Sequence, residues 1–129
     1  RLLVLDSSHL LTYLVRHETP AEIEVEEAES LDEAERRVRE RPPDAAVVSL
    51  PPAHLPWRSF QHLCASRRPP VPVLYESCVH TCAADAGLDP ADGYAAFLPK
   101  PAHPAELRGA LAELVATALR ARTDRPSRA

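Results

Sequence analysis

A chain of 129 residues is long enough for one domain with a full hydrophobic core, and its apolar share of 45% is that of a globular protein. No apolar run approaches the ~18 residues that span a membrane, and RLLVLDSSHLL, whose short apolar run holds an aspartate, is not a signal peptide. The formal net charge of −4 argues against a general nucleic-acid binder, and three cysteines, an odd number, make no disulfide framework, so a reducing cytoplasm is expected.

The chain opens at Arg1 rather than at methionine and is expected to be a piece of a longer protein. RLLVLD reads as a strand buried on both faces and ending in Asp6. Ser7 or Ser8 can cap a helix that runs to about Arg16 and places Leu10, Leu11 and Leu14 on one face. AEIEVEEA alternates, with Ile23 and Val25 on one side, as an edge strand with a solvated face does. Ser30 and Glu33 form a capping box ahead of Leu31, Ala34 and Val38 at helical spacing, and RPP stops that helix. DAAVVSLPP is a second strand of the doubly buried type, and it delivers Ser49 to its carboxyl end, where open parallel sheets place their chemistry.

A helix is expected near residues 57–67, with Trp57 at its start assigned to packing. PPVPVLY is the fourth strand, although Pro72 suits no strand interior. A helix over 78–91 is interrupted by Gly87 and Asp89-Pro90, and YAAFLP is the fifth strand. Pro104 opens a long helix with Leu107, Leu111, Leu114, Val115 and Leu119, running to about residue 121. The domain is therefore drawn over 1–115 with this helix continuing to its end, and residues 122–129 as an Arg-rich tail or linker. Strands alternating with helices imply a parallel sheet, right-handed crossovers and helices on both faces, a doubly wound α/β domain.

With three glycines there is no GxGxxG fingerprint and no phosphate-cradling Walker loop, so no nucleotide cofactor is expected. Cys78, His80 and Cys82 lie together in CVHTC, but on a helix the two cysteines share a face that His80 leaves. A tetrahedral zinc site needs converging ligands, so these are read as packed or exposed thiols and no metal is expected.

The strand ends carry the most specific pattern. LLVLDSS, DAAVVSL, PVPVLYE and GYAAFLPKP resemble the corresponding segments of the receiver domain of bacterial response regulators, over residues 2–115. The resemblance implies a flavodoxin-like five-stranded parallel sheet in the order 2-1-3-4-5. It also implies an acidic pair after the first strand, a phosphate-accepting aspartate on the third, Thr or Ser on the fourth, and Lys-Pro after the fifth. The matching residues here are Asp6 and Ser7, then Ser49, then Tyr75 followed by Glu76, and Lys100-Pro101. Lys100 is the sole lysine among the 15 basic Lys and Arg residues. Phe97 matches the family's switch aromatic. Tyr94, Leu107, Leu111 and Leu114 fall on the family's usual dimer or output face, where they are interface candidates as well as packing residues.

The departures bear on function. Transfer of a phosphoryl group to a receiver aspartate needs a carboxylate nucleophile, a divalent metal and a cation for the developing charge. Magnesium takes oxygen ligands, largely carboxylates, and Ser7 and Ser49 put neutral hydroxyls at two of those positions. A serine hydroxyl is a weak nucleophile without an activating base. Glu76 beside the pocket would repel phosphate, and it either supplies a permanent negative charge or faces solvent. The sequence therefore reads as a degenerate, pseudo-receiver type: a non-enzymatic, phosphorylation-independent signalling module with a vestigial pocket. Its partners would be another protein or a second copy, with an effector domain in the same longer chain, no membrane and no nucleic acid bound by this domain. Two alternatives stand beside it, a small-molecule-binding α/β regulatory module and a receiver phosphorylated at a non-standard residue such as Ser49.

Overall fold

Leu2, Leu3, Val4 and Leu5 are all buried, and so are Ala45 to Val48, which requires cover on both faces of the strands that hold them. The computed structural model of the chain, described over residues 1–6, 10–49, 57–77, 95–99 and 104–123, supplies that cover. In chain order the elements are β1 (Leu2–Leu5), α1 (Leu10–Glu18), β2 (Val25–Ala28), α2 (Leu31–Glu40), β3 (Ala45–Ser49), α3 (Trp57–Ser66), β4 (Val73–Ser77), β5 (Ala95–Pro99) and α4 (Pro104–Thr123). The strands form one parallel sheet in the order β2-β1-β3-β4-β5, the flavodoxin-like arrangement expected from the sequence. The helix expected over 78–91 lies outside the described residues, as do residues 124–129 of the tail.

Alternation along the strands divides the core in two. Leu3, Leu5, Ala46, Val48, Val73 and Tyr75 pack with Ala34 and Val38 of α2 and with Phe60 and Cys64 of α3. Their neighbours Leu2, Val4, Ala45, Val47 and Leu74 pack against Leu11 and Val15 of α1 and the α4 stripe Leu107, Leu111, Leu114 and Ala118. Ile23 and Val25 join this second cluster from the edge, as their alternation implied. The three leucines of that α4 stripe are core residues, which corrects their reading as interface candidates. Spacings of four, three and four residues keep them on the single helix face that the sheet covers.

Local signals account for the element boundaries. Ser30 caps α2 by accepting the Glu33 N–H at 3.1 Å, and the Glu33 carboxylate reaches back to the Glu29 N–H at 3.1 Å. Pro72 is compatible with a central strand because β4 begins one residue later, and its carbonyl accepts the Ala46 N–H at 3.0 Å. Arg108 donates twice to Glu18 Oε1, at 3.0 and 3.2 Å, and ties the end of α1 to α4.

The Glu33 carboxyl is held below its ordinary value, first by the backbone N–H of Glu29 and then by the Arg37 guanidinium 2.9 Å away. A folded-state value below the unfolded one gives stability that is present above pH 4.5 and lost as pH falls through the folded value. Glu33→Gln is therefore expected to lower stability at neutral pH and to flatten its decline in acid, read by urea denaturation across pH. The two leucine environments on α4 give a second expectation. Leu111, 2% exposed, should cost about 2–5 kcal/mol when changed to alanine, whereas Leu119, 58% exposed, should cost less than about 0.5 kcal/mol.

Candidate functional site

The register of the sheet sets three polar side chains in a row at its carboxyl edge. Leu5 pairs with Val48, so the residues that follow, Asp6 and Ser49, lie side by side where β1 and β3 end. Ser49 in turn pairs with Glu76 of β4, and Glu76 with Leu98 of β5. Alternation then fixes their side. Asp6 follows the parity of Leu2 and Val4, Ser49 that of Val47, and Glu76 that of Leu74, all members of the cluster under α1 and α4. With neighbouring strands ~4.8 Å apart, Asp6 and Glu76 flank Ser49 on one face of the sheet.

Both acids are withdrawn from solvent: Asp6 and Glu76 are each 6% exposed, while Ser49 is half-buried. Asp6 is anchored from two sides. Its backbone N–H donates to the Ala28 carbonyl at 3.2 Å, and its Oδ2 accepts the Leu11 N–H at 2.6 Å. That second bond satisfies one of the orphan amides in the first turn of α1. The carboxylate that follows β1 therefore ties the first turn of α1 to the end of that strand.

Tyr75 stands apart from this row. It is fully buried at 0% exposure, pairs with Val48 and with Phe97, and belongs to the opposite cluster, under α2 and α3. β4 continues two residues beyond it and ends at Ser77, opposite Pro99. The hydroxyl-bearing residue at the end of β4 is thus Ser77, which the sequence reading passed over. Phe97 holds the central position of β5. Ser7, Tyr94 and Lys100, with Cys78, His80 and Cys82, lie outside the described residues.

No family model matches the chain, and none of the curated proteins is similar to it. Solved structures are similar in fold. A two-component transcriptional regulator, AraC, from Clostridium phytofermentans superposes with a TM-score of 0.75 at 16% identity, over 95% of this chain and 97% of the other. The receiver domain of a DNA-binding response regulator (merR) from Colwellia psychrerythraea gives 0.69 at 17% identity, covering 89% and 97%. A response regulator from Burkholderia pseudomallei, solved with a phosphorylated aspartic acid, calcium and citrate, gives 0.65 at 23% identity, covering 95% and 71%. The chain has the fold of a receiver domain.

Loss of the Asp6 acceptor should be felt in stability. Asp6→Ala is expected to cost about 1–2 kcal/mol through the unsatisfied Leu11 N–H, and Asp6→Asn, which keeps an oxygen acceptor, distinctly less, both measured by urea denaturation.

Proposed function

We propose that this domain is a receiver-like signal-transduction module that acts without phosphorylation, through contact with another protein or with a second copy of itself. The observation that carries the reading is the row Asp6–Ser49–Glu76. A serine ends the strand where the resemblance places the phosphate-accepting aspartate, and a buried carboxylate stands in register beside it.

Two physical arguments support it. The first is the donor set. Magnesium draws on anionic oxygens, and Ser49 offers a neutral hydroxyl. Asp6 already gives one oxygen to the Leu11 N–H at 2.6 Å. These residues do not fit the metal site that the resemblance implies. The second is repulsion. A phosphoryl group on Ser49 would place negative charge one strand spacing from Glu76. At ~5 Å and an effective dielectric of about 20, each pair of unit charges costs roughly 3 kcal/mol, a penalty that no step of the serine's own chemistry offsets. Glu76 would then be a fixed charge that holds the carboxyl edge in one state. The domain would be non-enzymatic and would pass its state to an effector domain of the same longer chain.

The test is a proton–nitrogen correlation spectrum recorded with and without magnesium and beryllofluoride. Amides of Asp6, Ser49 and Glu76 are expected to stay unmoved at millimolar magnesium. In the double substitution Ser7→Asp with Ser49→Asp, which restores two acids, they are expected to shift saturably. Saturable shifts in the unaltered protein that spread to Phe97 would defeat the proposal.

A further inference from the structure

The amino-terminal edge of the sheet, opposite the row of acids, carries two hollows that meet. The first, about 340 Å³, lies between the pairs Pro42–Pro43 and Pro69–Pro70, with Arg68 and Asp44 in its lining. The second, about 110 Å³, is lined by Ile23, Val115 and Leu119 beside Leu2 and Ala45. Asp44 and Ala118 line both, so the two form one groove past the start of β3.

The two ends of the groove differ in chemistry. The apolar end holds Leu119, which is one of two large hydrophobic side chains exposed among the described residues. The inward stripe of α4 runs through Leu111, Leu114, Ala118 and Ala121, so packing does not require a leucine at 119. The other end is basic. Arg41 precedes one proline pair, Arg67 and Arg68 precede the other, and among the described residues none of the three is in an ion pair. Arg68 Nη1 reaches no more than the carbonyls of Ala65 and Arg67, at 3.5 and 3.1 Å. Arg41 follows the end of α2, and Arg67 and Arg68 follow the end of α3. At the apolar end Arg1 is committed to Glu26, its Nε 2.8 Å from the carboxylate. The basic end is therefore the one with capacity for an anion.

We propose that this groove binds an extended segment of a partner protein bearing a carboxylate side chain and, a few residues away, an aliphatic one. The carboxylate meets Arg68 at the mouth between the proline pairs. The aliphatic side chain fills the hollow beside Leu119. The proline walls have fixed φ and offer no N–H, so recognition runs through side chains rather than by adding a strand, and little ordering is needed on binding. A bidentate guanidinium–carboxylate contact at one end and apolar burial at the other fix the direction of the segment. The inference does not rest on the phosphorylation-independent reading of the opposite edge.

The probe is an acetylated, amidated octapeptide of alternating Glu and Leu, titrated into ¹⁵N-labelled protein, with the Lys-Leu counterpart as control. Saturable shifts are expected at Asp44, Ala45, Arg68, Ala118 and Leu119 with a Kd of roughly 10–100 μM, while Asp6, Ser49 and Glu76 stay still. Arg68→Glu and, separately, Leu119→Ser should each weaken binding about tenfold or more in proteins whose spectra remain dispersed. The inference is overturned by unmoved groove amides at millimolar peptide, by an equal response to the Lys-Leu peptide, or by indifference to Arg68→Glu. Sedimentation separates the remaining occupant: a dimer that dissociates in Leu119→Ser would make the groove a self-contact and remove the partner.

Discussion

The burial of β1 and β3 on both faces is the constraint from which the rest follows. A strand covered above and below has no solvated face on which to keep a polar side chain, since an unpaired polar group taken from water costs several kcal/mol. Leu2 to Leu5 and Ala45 to Val48 obey this without exception. Polar chemistry is thereby driven to the strand ends, and at the carboxyl end it takes the form of Asp6, Ser49 and Glu76. The same alternation that assigns Val4, Val47 and Leu74 to the α1/α4 side brings the three onto one face. The site is a consequence of the core.

That origin explains the double duty of Asp6. An acid at the end of a buried strand needs a partner, and the first turn of the next helix offers unsatisfied amides a few residues on. The 2.6 Å bond to Leu11 N meets both needs, so this carboxylate stabilises the fold whether or not it has any chemistry to perform. In the register of the sheet the neighbours of Glu76 are Ser49 and Leu98. An apolar residue there would continue Leu74 at no desolvation cost. The carboxylate there, 6% exposed, breaks the apolar parity that Leu74 sets.

The sequence makes much of this legible, and the reasons are physical. Doubly buried strands announce themselves as short apolar runs, the Ser30–Glu33 box marks a helix start by its hydrogen bonds, and strands alternating with helices leave few topologies. Register and parity are less legible. A side chain's face follows its parity in the strand, and Tyr75, assigned to the pocket from sequence, falls on the face that packs beneath α2 and α3. Leu107, Leu111 and Leu114 show a related ambiguity: an apolar helix stripe has the same spacing whether it meets a sheet or a partner. The groove at the amino edge left no sequence signal, because Pro42, Pro70 and Ala118 come to line one hollow through the crossovers alone.

A signalling domain without a covalent event must draw its bias from binding. Its two states can be separated by nothing except the difference in affinity that a partner has for each, and a shift from one per cent to ninety-nine needs about 5.5 kcal/mol of such difference. On the proposed reading, a fixed carboxylate at the carboxyl edge would remove one state from the competition and leave no chemical input there. An input would then have to arrive at a surface with binding capacity of its own. At the amino edge, Arg68, which is in no ion pair among the described residues, and the exposed Leu119 line one groove with rigid walls. Its wall begins at Asp44, whose backbone is one residue from β3, the strand that ends in Ser49. A segment seated there would press on the same strand whose other end carries the row of acids, which makes β3 the shortest physical path between the two edges.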